Sequence, residues 1–218
     1  MIKRRSSRPW TLALAVTIAA CAGNPPPDDT AETPAATDRT DRDESQTLPP
    51  AGYGTLRQDD FTIALQSDEL QIKVTPLNES VIRLAAPDTY QRLHGLVSSR
   101  DDRVREIAAN AGLQEPPKIF LVSFFTRARQ AEYKPTDLQL LSQGILYRPL
   151  GIVPITSDWG REQVRQERTQ SALYVFDPAV DLDIALQVEY AGQRALDWSS
   201  IVGVLDAEEG RVRSRAKS

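Results

Sequence analysis

Residues Lys118 to Thr126 read Lys-Ile-Phe-Leu-Val-Ser-Phe-Phe-Thr, apolar on both faces of an extended chain. Such a run predicts a central strand covered from both sides, and it forces a layered fold around itself. Shorter runs of β type surround it. Phe61 to Leu65 alternates apolar and polar, and Leu70 to Val74 alternates again after Ser67-Asp68-Glu69. Asn78-Glu79-Ser80 then predicts a turn into a strand over Val81 to Leu84. Leu138 to Leu141 and Ile145 to Tyr147 flank Gln143-Gly144, the pattern of a hairpin. Leu150 to Ile155 is interrupted by Pro154, which confines it to a sheet edge. Ala172 to Phe176 and Leu186 to Tyr190 complete about eight strands.

Helical spacing appears twice. Tyr90, Leu93, Val97, Val104, Ile107, Ala108 and Ala111 fall on one apolar stripe, predicting a long inserted helix over about 87–111. Pro87 and Asp88 suit its first turn and Gly112 its end. Arg100 and Asp101 interrupt the stripe, so a kink or two shorter helices stays open. A short C-terminal helix is predicted from Trp198 to Glu209, with Asp197 as its cap and Gly210 beyond it. The expected fold is therefore mainly β, a two-sheet sandwich with one long inserted helix and a short C-terminal one. The order of elements over residues 55–195 resembles the immunoglobulin-like sandwiches of envelope proteins, without their Cys…Trp…Cys signature.

The N-terminus carries an address. Lys3, Arg4, Arg5 and Arg8 precede an apolar stretch from Trp10 to Ala20, too short for a bilayer span and suited to a signal peptide. Ile18-Ala19-Ala20-Cys21 resembles the bacterial lipobox, and Cys21 is the single cysteine of the 218 residues. That resemblance implies cleavage before Cys21 and acylation of its thiol and new amine, with chains strong enough together for stable anchoring. Ala20-Cys21-Ala22 also fits an ordinary cleavage site loosely, so simple secretion stays open. By the same resemblance, Ala22 in place of an aspartate implies the outer membrane in a cell that has one, with the domain expected on its periplasmic face. The expected organisation is a signal peptide over 1–20, an acylated Cys21 opening a tether over 21–50, and one domain over 51–218. The tether holds Pro25, Pro26, Pro27, Pro34, Pro49 and Pro50, no aromatic residue and a net charge of −5. It buries too little apolar surface to offset its ordering entropy, which predicts disorder.

Composition narrows the chemistry. His94 is the only histidine and Met1 the only methionine, so no zinc pair or soft-metal set is expected. A net charge of −4 argues against nucleic acid as a partner. No G-x-S-x-G, P-loop or complete G-x-G-x-x-G occurs; Gly52-Tyr53-Gly54 is half of the last, and Ser214-Arg215-Ala216-Lys217 matches S-x-x-K by letter only, in a terminal tail where no pocket is expected. His94, one position off the apolar stripe, reads as a partly exposed helical residue. Asp59-Asp60, Asp101-Asp102 and Asp181/Asp183 are the acid clusters that a glycosidase would need. Asp181 and Asp183 also suggest a calcium loop, although turn polarity explains them better. Arg161, Arg165 and Arg168 suggest an anion site, but Glu162 and Glu167 interleave with them and predict a self-neutralised hairpin. Arg211, Arg213, Arg215 and Lys217 suggest a tail for lipid phosphates or an acidic partner, but read better as a frayed basic terminus. Trp159, Trp198 and Tyr147 are expected in the core rather than under a sugar ring. No cofactor is expected. The function this predicts is a non-catalytic envelope lipoprotein that binds another envelope protein or polymer. The alternative is a carboxylate-dependent hydrolase or transglycosylase acting on envelope glycans.

Overall fold

The computed structural model describes residues 48–196 and 198–218. The expected signal peptide, the acylation expected at Cys21, the expected tether up to residue 47 and the cap expected at Asp197 lie outside the described residues. Among the described residues, eleven strands form three antiparallel sheets. The largest runs in the order β1 (Ile63–Ser67), β2 (Leu70–Pro76), β3 (Lys118–Thr126), β9 (Thr169–Phe176) and β7 (Gly151–Pro154). The second runs β11 (Gln193–Ala195), β10 (Leu186–Tyr190), β5 (Gln139–Ser142) and β6 (Ile145–Tyr147). A small third sheet pairs β4 (Gln130–Glu132) with β8 (Gln163–Arg165).

The apolar nonapeptide is β3, the middle strand of the largest sheet. Its Phe120, Val122 and Phe124 point inward and are fully buried. Phe124 lies at the centre of an aromatic cluster, 4.6 Å from the Tyr133 ring, 5.6 Å from Tyr190 and 5.9 Å from Trp159. Tyr190 comes from β10, so the inner faces of the two larger sheets share one core. The buried phenols are satisfied: Tyr133 donates to the Trp159 carbonyl (2.8 Å) and Tyr174 to the Pro135 carbonyl (2.9 Å). Burial pushes the Tyr133 phenol up to about 12.

Three expectations need correction. Val81 to Leu84 is not a strand. Glu79–Ile82 is a single helical turn, α1, whose Val81 and Ile82 amides both bond the Asn78 carbonyl. Four aliphatic residues carry no period long enough to separate turn from strand. The long helix over 87–111 is two helices, α2 (Pro87–Ser98) and α3 (Asp101–Asn110). The break falls at Ser99 and Arg100, where the apolar stripe fails. Leu93 and Val104 anchor the pair, and Ile107 lies against Gly151 so closely that a Cβ there would collide with it. Finally, the C-terminal helix is not short. Here called α4, it spans Trp198–Arg215 and carries Gly210 inside it.

The chain enters the domain as a strap against α1 and α4. Pro49 is buried, and its carbonyl accepts from Arg83 Nη1 (3.4 Å). Leu56 forms a parallel bridge with Ala85, through Leu56 N to Leu84 O (3.2 Å) and Ala86 N to Leu56 O (2.9 Å). Gly54 makes this approach feasible, because a Cβ there would overlap the Leu84 carbonyl. Gly54→Ala is therefore expected to cost about 1–3 kcal/mol, since backbone rather than a side chain must give way. Urea unfolding checks the loss. Amide exchange should show faster opening at Leu56 and Ala86 before any change in β3.

Candidate functional site

The acidic clusters read from the sequence do not converge. Asp59 pairs with Lys73 (2.8 Å), and Asp60 accepts from the Arg57 amide (2.8 Å). Asp101 pairs with Arg105 one turn along α3. Asp181 organises a turn: its Oδ1 accepts from the Asp183 amide (2.8 Å) and its Oδ2 from Gln143 Nε2 (3.0 Å), while its own amide donates to Ser142 Oγ (3.2 Å). Among the described residues no three His, Cys, Asp or Glu side chains gather as a metal site.

His94 sits on the exposed face of α2, where its Nδ1 lies 2.8 Å from Glu79 Oε1. Burial raises the Glu79 carboxyl, but Arg83 and His94 outweigh it and hold the group below its ordinary value. Trp159 and Trp198 are buried and Tyr147 is half-buried.

The arginine group departs from expectation. Among the described residues neither Glu162 nor Glu167 pairs with it, and the ion pair found is Arg161 with Asp158, at 3.8 Å. Glu162 adopts a left-handed backbone, φ 52°, and lines a different concavity. That concavity, 620 Å³, opens between β4, the β1–β2 turn and the end of β10. Asp68, Glu69, Glu132, Asp137 and Glu162 contribute to its wall beside Lys134 and Arg161. The basic tail is also corrected. Arg211, Arg213 and Arg215 belong to α4, and two of them hold Glu208, whose side chain is fully buried. Sequence reasoning missed Glu208. Its signal was local, a glutamate with arginines three and seven positions later on one helical face.

An open apolar surface lies at the free edge of β6. Its Ser142↔Ile145 and Leu140↔Tyr147 pairs join it to β5 through the turn Gln143-Gly144, both residues with positive φ. Among the described residues no strand pairs with its outer side. Ile145 is 56 % and Leu146 46 % exposed, and Leu150 follows at 41 %. Ile184, also exposed, stands just before β10, held near the hairpin by the Asp181 contacts. The acid clusters of this loop thus serve to place apolar side chains. Chemically the edge offers unpaired backbone groups flanked by large aliphatic residues, the features that recruit an added strand.

No family model, no curated protein and no solved structure matches the chain.

Proposed function

We propose that this protein is a lipid-anchored envelope module, non-catalytic, which captures an extended segment of another envelope protein along the β6 edge. The observation that carries this reading is the exposed aliphatic edge itself. A surface of Ile145, Leu146 and Ile184 costs solubility unless something covers it. The paired inner faces of the two larger sheets support an immunoglobulin-like two-sheet sandwich, an architecture with edges suited to strand addition. The lipobox ending at Cys21 supports anchoring, by diacylglycerol on the thiol and a further chain on the amine, at the periplasmic face of the outer membrane.

A photoreactive amino acid at position 145 tests the contact in cells. Adducts with a discrete protein partner are expected there and not at His94, which is exposed on another face. Leu146→Lys should reduce co-purification of that partner at least tenfold, since a charge at the centre of a docked strand is left poorly solvated. Equal labelling at both positions, or none at 145, contradicts the reading. Adducts with a glycan polymer rather than a protein would replace the partner class. For the anchor, Cys21→Ser should abolish acyl labelling and membrane fractionation; an unlabelled wild type contradicts it.

The acid-lined concavity keeps a second reading in view, a carboxylate-dependent hydrolase or transglycosylase acting on envelope glycans. Turnover of peptidoglycan fragments by the purified chain, lost in Glu132→Gln or Glu162→Gln, is the result that favours it.

A further inference from the structure

A second concavity, 410 Å³, lies between the segment after β7, the strand β8 and the start of β9. Its size falls within the range of small-molecule sites, about 300–1,000 Å³. Arg161, Arg165 and Arg168 all line it. The backbone sorts them from the acids that interleave in sequence. Strand alternation in β8 buries Val164 and turns Gln163 and Arg165 to one exposed face. The turn after β8 closes through Arg168 N to Arg165 O (3.0 Å), with Glu167 in a left-handed conformation and its amide on the Thr126 carbonyl. Glu162, also left-handed, belongs to the acid-lined concavity and not to this one.

The site is rich in donors and short of acceptors. Asp158 is the single carboxylate in the wall, 3.8 Å from Arg161 with both groups more than half exposed, a weak contact in water. Arg165 and Arg168 have no ion-pair partner among the described residues. The wall also includes a built element. Gln170 is only 7 % exposed. Its Oε1 accepts from Thr156 Oγ1 (2.6 Å), and that oxygen in turn accepts from the Ser171 amide (3.2 Å). This arrangement fixes the orientation of the Gln170 amide and leaves its NH₂ without a protein acceptor among the described residues. That nitrogen is not a buried orphan; it reaches the solvent of the concavity that Gln170 lines, where water or a ligand accepts from it.

We infer that this concavity binds a phosphate group. Three guanidinium groups and an oriented amide ask for more acceptor sites than one carboxylate has. A phosphate carries several exposed oxygens, and the planar forks of arginine match them in pairs. The local excess of positive charge stands out against a chain of net charge −4, so it is not a by-product of a basic surface. The inference does not depend on the β6 edge. It concerns different residues and a different class of ligand.

The test uses the full chain at low ionic strength with two probes. One is inorganic phosphate followed by calorimetry. The other is vesicle flotation, comparing phosphatidylglycerol with phosphatidylcholine so that any contribution of an anchor cancels. Saturable binding is expected with at least one probe. Arg165→Gln/Arg168→Gln should weaken it at least tenfold, whereas Arg127→Gln, an exposed arginine outside the concavity, should change it less than twofold. Binding of phosphate alone identifies a soluble phosphorylated ligand. A preference for phosphatidylglycerol lost in the double variant, without binding of free phosphate, identifies a lipid headgroup. No saturable binding by either probe, binding unchanged in the double variant, or an equal loss in Arg127→Gln overturns the inference.

Discussion

Trp198→Ala is expected to destabilise the protein by about 4 kcal/mol, as removal of a fully buried indole does elsewhere. Trp198 opens α4 and has no solvent exposure. Its ring fills space between α4 and the 181–184 loop, and its Nε1 donates to the Leu182 carbonyl (2.9 Å). Alanine therefore removes apolar burial, leaves a void, and strips a buried carbonyl of its donor at once. Trp198→Phe separates these effects. It keeps most of the ring but not the N–H, and about half of the loss should remain. Urea unfolding monitored by far-UV circular dichroism measures both variants. A loss below about 1 kcal/mol for the alanine variant would mean that α4 is not anchored by this side chain. Because the same loop positions Ile184, Trp198→Phe should also weaken the partner capture proposed for β6 more than its stability cost explains.

Glu208→Ala follows, with an expected cost of about 2–3 kcal/mol. The carboxylate is fully buried and accepts from the Thr55 amide (3.0 Å), Thr55 Oγ1 (2.8 Å), Arg211 Nη1 (3.1 Å) and Arg215 Nη1 (2.9 Å). Its loss strands the Thr55 donors. The two arginines reach solvent and recover part of their hydration, which keeps the cost below that of a fully enclosed pair. Burial acts to raise the Glu208 carboxyl, but hydrogen bonds from Arg215, Thr55 and Arg211 outweigh it and hold the group below its ordinary value. In acid the unfolded chain therefore takes up this proton before the folded one does. Stability contributed by Glu208 is complete at neutral pH and falls as pH drops through the ordinary carboxyl range to the lower folded value. Thermal melts between pH 7 and pH 3 should show a shallower acid slope in Glu208→Ala than in the wild type. Equal slopes would assign the acid sensitivity to other carboxylates.

Much of the sheet framework was legible because it rests on local pattern. The two-faced apolar run at Lys118–Thr126 could only be an interior strand, and the Gln143-Gly144 turn and the Pro154 edge follow from backbone chemistry. Other features escaped for stated reasons. Val81 and Ile82 look extended until the Asn78 carbonyl is free to accept both amides. The strands β4, β8 and β11 have three residues each, too few for an alternation to register. Of the five left-handed positions that are not glycine, four, Asp68, Glu162, Glu167 and Ala191, fall at the turns around the concavities, so no residue type announced those turns. The arginines were visible, but their separation from Glu162 and Glu167 depends on two of those turns. Thr55 and Glu208 meet across 153 positions, and no local window contains both.

The strap over residues 48–56 also defines a load path. Tension applied to the chain at Leu48 is carried first by the Pro49–Arg83 contact, then by Arg215 on the Tyr53 carbonyl (2.6 Å), Glu208 on Thr55 and the two-bond bridge at Leu56. Only beyond these does it reach β1, which is laddered to β2 along its whole length. The strap thus acts as a fuse in series with the sheets, yielding a few residues of extension while the core stays intact. A domain pulled at Leu48 is expected to give way first at the Pro49–Arg83 contact and next at the Arg215 and Glu208 clasp, which re-forms when the strain relaxes.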